Sequence, residues 1–241
     1  MISHASQPAP AASGAALRPV AVRGLADDVT ERLRDAIALG ELREGASLNE
    51  RDLAATLDVS RGPVREALRQ LQDERLVELR HNRGATVRQL SARDVEEVYG
   101  LRLVLERHAI ELAATRATAQ DVAALSAALD VLADAAAVGT PREVAIADVS
   151  FHDCIYRAAG HERLERAWAD LRAQVYVFLH LRNAVDDDYR AHAAAEHAEL
   201  VELIRDHRVE QASATIETHL KAAYERLLTW QRQRAGEGRA A

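Results

Sequence analysis

From Ser91 to about residue 233 the sequence is a succession of amphipathic stretches with helical spacing, separated by Gly, Pro or charged breaks. They fall near 91–117, 119–137, 141–159, 162–182, 188–206 and 208–233, and no strand signal interrupts them. Six helices of this kind have to bury their apolar stripes against one another. The composition agrees. Aromatic residues are only 4% of the 241 while hydrophobic residues are 48%, so Ala, Leu and Val must build the core. Ala and Leu are strong helix formers, whereas strands favour aromatic and β-branched residues.

The first 90 residues read differently. Leu25, Val29, Leu33 and Ile37 repeat every four positions, marking a helix that stops near Gly40. Gly45 and Ser47 then fall in an expected loop. Asn49 is placed to cap a second helix, Glu50 to Leu57, and Ser60 to cap a third that runs to about Asp73. Pro63 sits in the first turn of the third helix, where a missing N–H does no harm. After it come two short extended pieces, Leu76 to Leu79 and Ala85 to Val87, joined by the turn His81-Asn82-Arg83-Gly84. Three short helices followed by a hairpin are the pattern of a winged helix-turn-helix. The fold expected is therefore mainly α, with a winged helix-turn-helix over 21–90 and an all-helical domain over 91–234. Segments 1–20 and 235–241 are expected as disordered tails.

Several classes are disfavoured. The single cysteine, Cys154, cannot form an internal disulfide and points to a reducing, cytoplasmic setting. No run of about 18 apolar residues is present, so no membrane span is expected. Met1 to Pro19 lacks the basic start and Leu-rich run of a secretory signal. The net charge of −7 argues against a uniformly basic nucleic-acid coat, but the charge is uneven. Residues 1–90 balance 13 Arg against 13 acids, leaving the whole −7 to the rest, and Arg61 to Arg88 holds seven Arg against four acids. A local basic face on an acidic chain suits a specific DNA reader.

In a helix-turn-helix the second helix of the motif enters the major groove, N-terminal end first. Here that end reads Ser60-Arg61-Gly62-Pro63-Val64-Arg65. Arg61 and Arg65 are four apart, so they project from one face, and Arg is the side chain best suited to bidentate contact with guanine. Arg51 on the preceding helix is within reach of a phosphate or a base. Arg83 at the wing tip is placed for the minor groove, beside Gly84 where backbone can approach closely. The bland alternative is that these arginines pair with Glu50, Asp52 or Glu66.

At these residues the sequence resembles a known family. Asn49-Glu50-Arg51-Asp52-Leu53-Ala54, Val59-Ser60-Arg61-Gly62-Pro63-Val64-Arg65-Glu66-Ala67-Leu68-Arg69-Gln70-Leu71 and Arg83-Gly84-Ala85-Thr86-Val87 look like the GntR family of bacterial regulators. The resemblance implies transcription regulation, with Arg51, Arg61, Arg65, Arg83 and Gly84 at the DNA. It also implies a homodimer on a palindromic double-stranded operator.

In the second half, Asp148 and His152 are four apart on one expected helix. His197 and His219 each lie about eleven residues from the turn between the last two helices, on the order of 16 Å at 1.5 Å per residue. If those helices run antiparallel, the two imidazoles sit at similar height. One Asp and three His can then converge inside a helical bundle on a first-row divalent ion such as Zn, Ni, Fe or Mn. An ion accepting five or six ligands would keep room for an anion, and Arg102, four residues before Glu106, is a candidate second anchor for it. Such a centre also suits a hydrolytic or oxygenase enzyme, for which Glu106 or Glu196 would have to serve as acid or base.

The second half also resembles the FCD domain of the FadR-type branch of GntR proteins. The motif positions are Leu101-Arg102-Leu103-Val104-Leu105-Glu106, Asp148-Val149-Ser150-Phe151-His152, Glu196-His197 and Ala222 after His219. The resemblance implies an antiparallel bundle in its six-helix version, metal ligation by Asp148, His152, His197 and His219, and a small carboxylic acid effector near Arg102. The DNA-reading half has no role in an enzyme, so no enzymatic activity is expected. One departure stands out. The family often has Ala-Gly-Asn after the Asp-His helix, and this chain has Ala159-Gly160-His161.

Overall fold

The computed structural model describes residues 24–80, 84–183 and 187–237. Helix α1 (Leu25–Ala38) buries Val29, Leu33 and Ile37, the four-residue repeat of the sequence. Its start is held by the Asp27 carboxylate, which accepts the Gly24 N–H at 3.1 Å. Strand β1 (Ser47–Leu48) follows where a loop was expected. Two residues are too few to show alternation, and what makes them a strand is a remote partner. Gly45 N–H donates to Val87 O at 2.9 Å and Val87 N–H to Ala46 O at 3.0 Å.

Helices α2 (Glu50–Thr56) and α3 (Arg61–Asp73) form the helix-turn-helix. Asn49 caps α2 by accepting the Arg51 N–H at 2.8 Å. The turn closes as a Schellman-type cap, with Asp58 at φ 53° and the Val59 N–H on Ala54 O at 3.0 Å. Ser60 occupies the position before α3 but makes no side-chain capping bond, contrary to expectation. Burial anchors α3 instead. Val64, Leu68 and Leu71 have no exposed surface, each worth roughly 1.5–3 kcal/mol. Side-chain ties fasten α1 to the C-terminal end of α3: Thr30 Oγ1 to Gln70 Oε1 at 2.6 Å, Gln70 Nε2 to Asp27 Oδ1 at 3.3 Å and Arg34 Nε to Glu74 Oε2 at 2.8 Å.

Strands β2 (Val77–Arg80) and β3 (Gly84–Val87) make the wing, paired antiparallel from Val77↔Val87 to Arg80↔Gly84. β3 is central in a three-stranded sheet of order β1-β3-β2, so the expected two-stranded hairpin gains an edge.

Among the described residues six helices follow: α4 (Ala92–Arg116), α5 (Ala119–Val138), α6 (Pro141–Ala159), α7 (Glu162–Asn183), α8 (Asp187–Arg205) and α9 (Val209–Glu237). α9 thus runs past the tail boundary expected at 235. Capping boxes start three of them: Ser91 with Asp94, Thr118 with Asp121 and Thr140 with Glu143. α6 is central, burying Val144, Val149, Phe151, Ile155 and Tyr156. α5, α7 and α4 pack around it, while α9 and α8 close the bundle against α4 and α5. No strand occurs after Val87 among the described residues.

The two halves meet where α1 lies on α7. Asp35 of α1 accepts Arg142 Nε at 2.9 Å and the Tyr176 hydroxyl at 2.6 Å. Beside this clasp a cleft of about 470 Å³ runs between α1, α3, α6 and α7. No described helix is long and apolar enough to cross a membrane.

Candidate functional site

The first candidate surface is the exposed end of α3. Arg61 and Arg65 point outward, with side chains 62% and 51% exposed. Both reach Glu50 on α2, at 3.3 and 2.9 Å. The hydrogen bond from Arg65 holds the Glu50 carboxyl below its ordinary value. The ion pairing weighed from the sequence is therefore present, and it is one carboxylate gripping both arginines. Arg51 is exposed one residue further along α2. Arg83 lies outside the described residues. Gly84 begins β3 at φ 81°, and a Cβ there would stand 2.0 Å from Leu48 O. Its lack of a side chain is demanded by the approach of β1.

The second candidate is inside the bundle. α6 supplies Asp148 and His152, α8 His197 and α9 His219, all buried. The reversal over Asp206 to Arg208 returns α9 along α8, bringing the His197 and His219 rings to 4.7 Å between centroids. One nitrogen from each of the three histidines lies within 4.8 Å of the others. Asp148 carboxylate oxygens stand 3.6 Å from His152 Nε2 and 3.9 Å from His197 Nε2. Two atoms each about 2.1 Å from one ion, at a tetrahedral angle, would be about 3.4 Å apart. Asp148 stands near that spacing from His152 and His197, and the three histidines are grouped more loosely about the same point.

The other ring nitrogens face away from that centre onto fixed partners. His197 Nδ1 lies 2.7 Å from Ala193 O, His219 Nδ1 3.0 Å from Glu196 Oε2, and His152 Nδ1 2.6 Å from Glu106 Oε2. Histidines that bind metal through one nitrogen are commonly oriented this way through the other. Nε2 of His152 and of His197 has no protein hydrogen-bond partner although both are buried. Burial first, and His219 second, push His197 down to about 3, so it is a neutral donor at pH 7. Burial also lowers His219. Burial opposes ionisation of Asp148, but His197, His152 and the arginines outweigh it and hold the carboxyl well below its usual range.

Arg102 sits against this cluster and is 1% exposed. Its Nε donates to Glu106 Oε1 at 2.5 Å, and its charge lies 5.5 Å from the Tyr99 ring centroid and 5.7 Å from that of Trp168. Neither terminal nitrogen, Nη1 nor Nη2, has a protein acceptor. Burial opposes the Glu106 charge, yet Arg102 and His152 keep it at about 2. At the other side His219 opens onto a surface hollow of about 350 Å³ floored by Glu196, Glu199, Thr215 and Thr218.

Residues 25–87 match the family described as "Bacterial regulatory proteins, gntR family", and residues 97–222 match the FCD domain. The chain belongs to the GntR family of transcription regulators, FCD type. This GntR chain is 30% identical to the "Nta operon transcriptional regulator" of Aminobacter aminovorans over 77% of its length and 86% of that protein. It is 35% identical to the "Probable D-xylose utilization operon transcriptional repressor" of Paenarthrobacter nicotinovorans, over 78% of its own length and 81% of the other's. Among solved structures it matches E. coli McbR/YncC with a TM-score of 0.74 at 25% identity, covering 86% of this chain and 99% of that one. It is a DNA-binding regulator, and these relatives are regulators of transcription.

In this GntR regulator the structure brings Asp148, His152, His197, His219 and Arg102 into one interior site, and places Arg51, Arg61 and Arg65 on the helix-turn-helix surface. Sequence reasoning missed the groups that orient them. Glu106 and Glu196, weighed as an enzyme's acid or base, are instead bound to His152 with Arg102 and to His219. Glu106 lies four residues after Arg102 and Glu196 adjoins His197, and these spacings were the available signal. His161 caps α7, its Nδ1 accepting the Leu164 N–H at 3.2 Å. The departure from the family's Asn is thus spent on a helix start.

Proposed function

We propose that this regulator is a repressor that binds a palindromic operator as a homodimer, through Arg51, Arg61, Arg65 and the wing tip Arg83-Gly84. In this reading Asp148, His152, His197 and His219 hold a divalent ion, Zn, Ni, Fe or Mn. A small carboxylic acid completes the site with its carboxylate on Arg102. The observation that carries the reading is a group of three buried imidazoles, each with Nδ1 against an oxygen, of which His152 and His197 turn Nε2 toward Asp148. The bare Nη1 and Nη2 of Arg102 support the anion, because a buried guanidinium wants a planar acceptor for both. A bound ion would supply Lewis-acid attraction for the effector's oxygens.

The route to the operator runs along two helices. α6 carries Asp148 and His152, and six residues earlier Arg142 grips Asp35 of α1. That separation is about 9 Å of helix. α7 carries Trp168 beside Arg102 and, two turns on, Tyr176 on the same Asp35. A ligand that displaces either helix shifts α1, and α1 is tied to the recognition helix α3. Two half-sites about 34 Å apart tolerate little change in spacing.

The test is a thermal-shift series on chelated protein with Zn or Ni restored, then with a panel of mono- and dicarboxylic acids. Metal is expected to raise Tm in the wild type and not in His197→Ala. Arg102→Lys, which loses the paired planar donors, is expected to keep the metal response and lose the acid response. Purified protein that carries no metal and shows no shift with either ion would overturn the reading.

A further inference from the structure

Tyr99 lies on the inward face of α4, one turn before Arg102 and two before Glu106. It is 4% exposed, and its hydroxyl has no protein hydrogen-bond partner. A buried O–H left bare costs free energy, and the packing of the bundle makes no use of it. The ring itself is held on two sides. Phe178 of α7 stacks on it with centroids 6.4 Å apart, and Tyr224 of α9 lies at 5.7 Å. The hydroxyl is therefore offered from a fixed place, with little side-chain freedom left to lose when something binds.

Arg102 stands 5.5 Å from the Tyr99 ring centre. Burial opposes the Arg102 charge, and Glu106, then Tyr99 and Asp148, outweigh it. The bare hydroxyl and the bare guanidinium nitrogens Nη1 and Nη2 thus border the same space, and each has a hydrogen to give. The carboxylates nearby are already engaged. Glu106 Oε1 accepts Arg102 Nε, Glu106 Oε2 stands 2.6 Å from His152 Nδ1, and Asp148 faces His152 and His197. An ammonium placed here would meet the Arg102 charge without a carboxylate to answer it. Oxygen atoms are what this corner of the site can receive.

We infer that Tyr99 is a specificity-determining residue of the effector site, its hydroxyl donating to a hydroxyl or oxo oxygen on the carbon next to the carboxylate that Arg102 holds. The inference rests on the proposed acid effector and narrows it to 2-hydroxy and 2-oxo acids over their unsubstituted and 2-amino counterparts. A site with a buried donor rejects an analogue that lacks the acceptor, because binding seals the donor away unpaired.

The experiment is titration calorimetry of zinc-loaded wild type and Tyr99→Phe with two sets of acids. One is propanoate, lactate, pyruvate and alanine, and the other is hexanoate, 2-hydroxyhexanoate, 2-oxohexanoate and norleucine. Wild type is expected to bind the 2-oxygenated acids on the order of tenfold or more tighter than the unsubstituted and 2-amino ones. Tyr99→Phe keeps the ring contacts and is expected to bring that ratio within about threefold, with the affinity for the unsubstituted acid unchanged. The ligand-free variant is expected to keep or raise its Tm, since it loses a buried polar group that had no partner. A hydroxyl of purely structural value would instead lower Tm and weaken every acid alike, and that result would overturn the inference. So would a variant that keeps the full ratio, or a wild type that binds all the acids equally; both spare the acid effector. A wild type that binds none of these acids would overturn the effector reading as well.

Discussion

Glu50 shows how much one carboxylate can decide about a reading surface. It holds Arg61 and Arg65 together before any duplex arrives, limiting the rotamers the two guanidiniums sample. It also sets a negative charge beside phosphates that both arginines would approach. Glu50→Gln is expected to strengthen binding to random-sequence duplex roughly threefold to tenfold, in keeping with about 1 kcal/mol for an exposed pair, while narrowing the preference for the operator. Gel-shift titrations at fixed salt on both duplexes measure this, and an unchanged ratio of affinities would remove Glu50 from the account. Gly84 is the second such residue. Its positive φ and the Leu48 carbonyl both exclude a side chain, so Gly84→Ala is expected to cost roughly 2–3 kcal/mol. Chemical denaturation followed at the winged domain checks it, and a loss under about 0.5 kcal/mol would mean that β1 yields freely.

At the scale of elements, α6 and α7 matter because each has one end at the interior site and a side chain on Asp35. The clasp is small: the Arg142 pair and the Tyr176 hydroxyl on one carboxylate. A hydrogen bond to a charged acceptor contributes about 1.5–3 kcal/mol when buried, and here the environment is only partly so. Tyr176→Phe is expected to leave zinc affinity unchanged and to shrink the ratio of operator affinities between zinc-loaded and chelated protein by several-fold. Fluorescence anisotropy on an operator duplex reads that ratio. A full ratio in the variant would mean that coupling bypasses α7.

For the whole molecule, the interior charges predict acid sensitivity. His197 is lowered to about 3 in the folded chain against 6.5 as an ordinary imidazole. Above 6.5 it is neutral in both states and folding is unaffected. As pH falls from 6.5 toward 3 the unfolded chain takes up a proton that the folded chain refuses, so stability is lost. Glu106, held at about 2 against 4.5, adds stability above 4.5 that is lost between 4.5 and 2. Both run the same way. Chelated protein is therefore expected to lose up to about 1.4 kcal/mol per pH unit for each such histidine below 6.5. Urea unfolding at pH 8, 6 and 5 measures it, and equal midpoints at 8 and 5 would contradict the buried neutral histidines. Zinc should steepen the loss, since protons compete for its ligands.

Local pattern alone determined most of the elements. Apolar spacing placed every helix within a few residues, because helical periodicity and caps such as Asn49, Ser91 and Thr140 act through neighbours in sequence. The same periodicity put Asp148 and His152 on one face, and equal distances from one turn set His197 beside His219. What only the tertiary structure decided depends on contacts between residues far apart in the chain. β1 exists because β3, almost forty residues later, offers it partners. Glu106 and Glu196 turn from possible acids or bases into supports for histidines because two other helices bring those rings to them. The grip of α6 and α7 on Asp35 spans more than a hundred residues, and no spacing rule reaches that far.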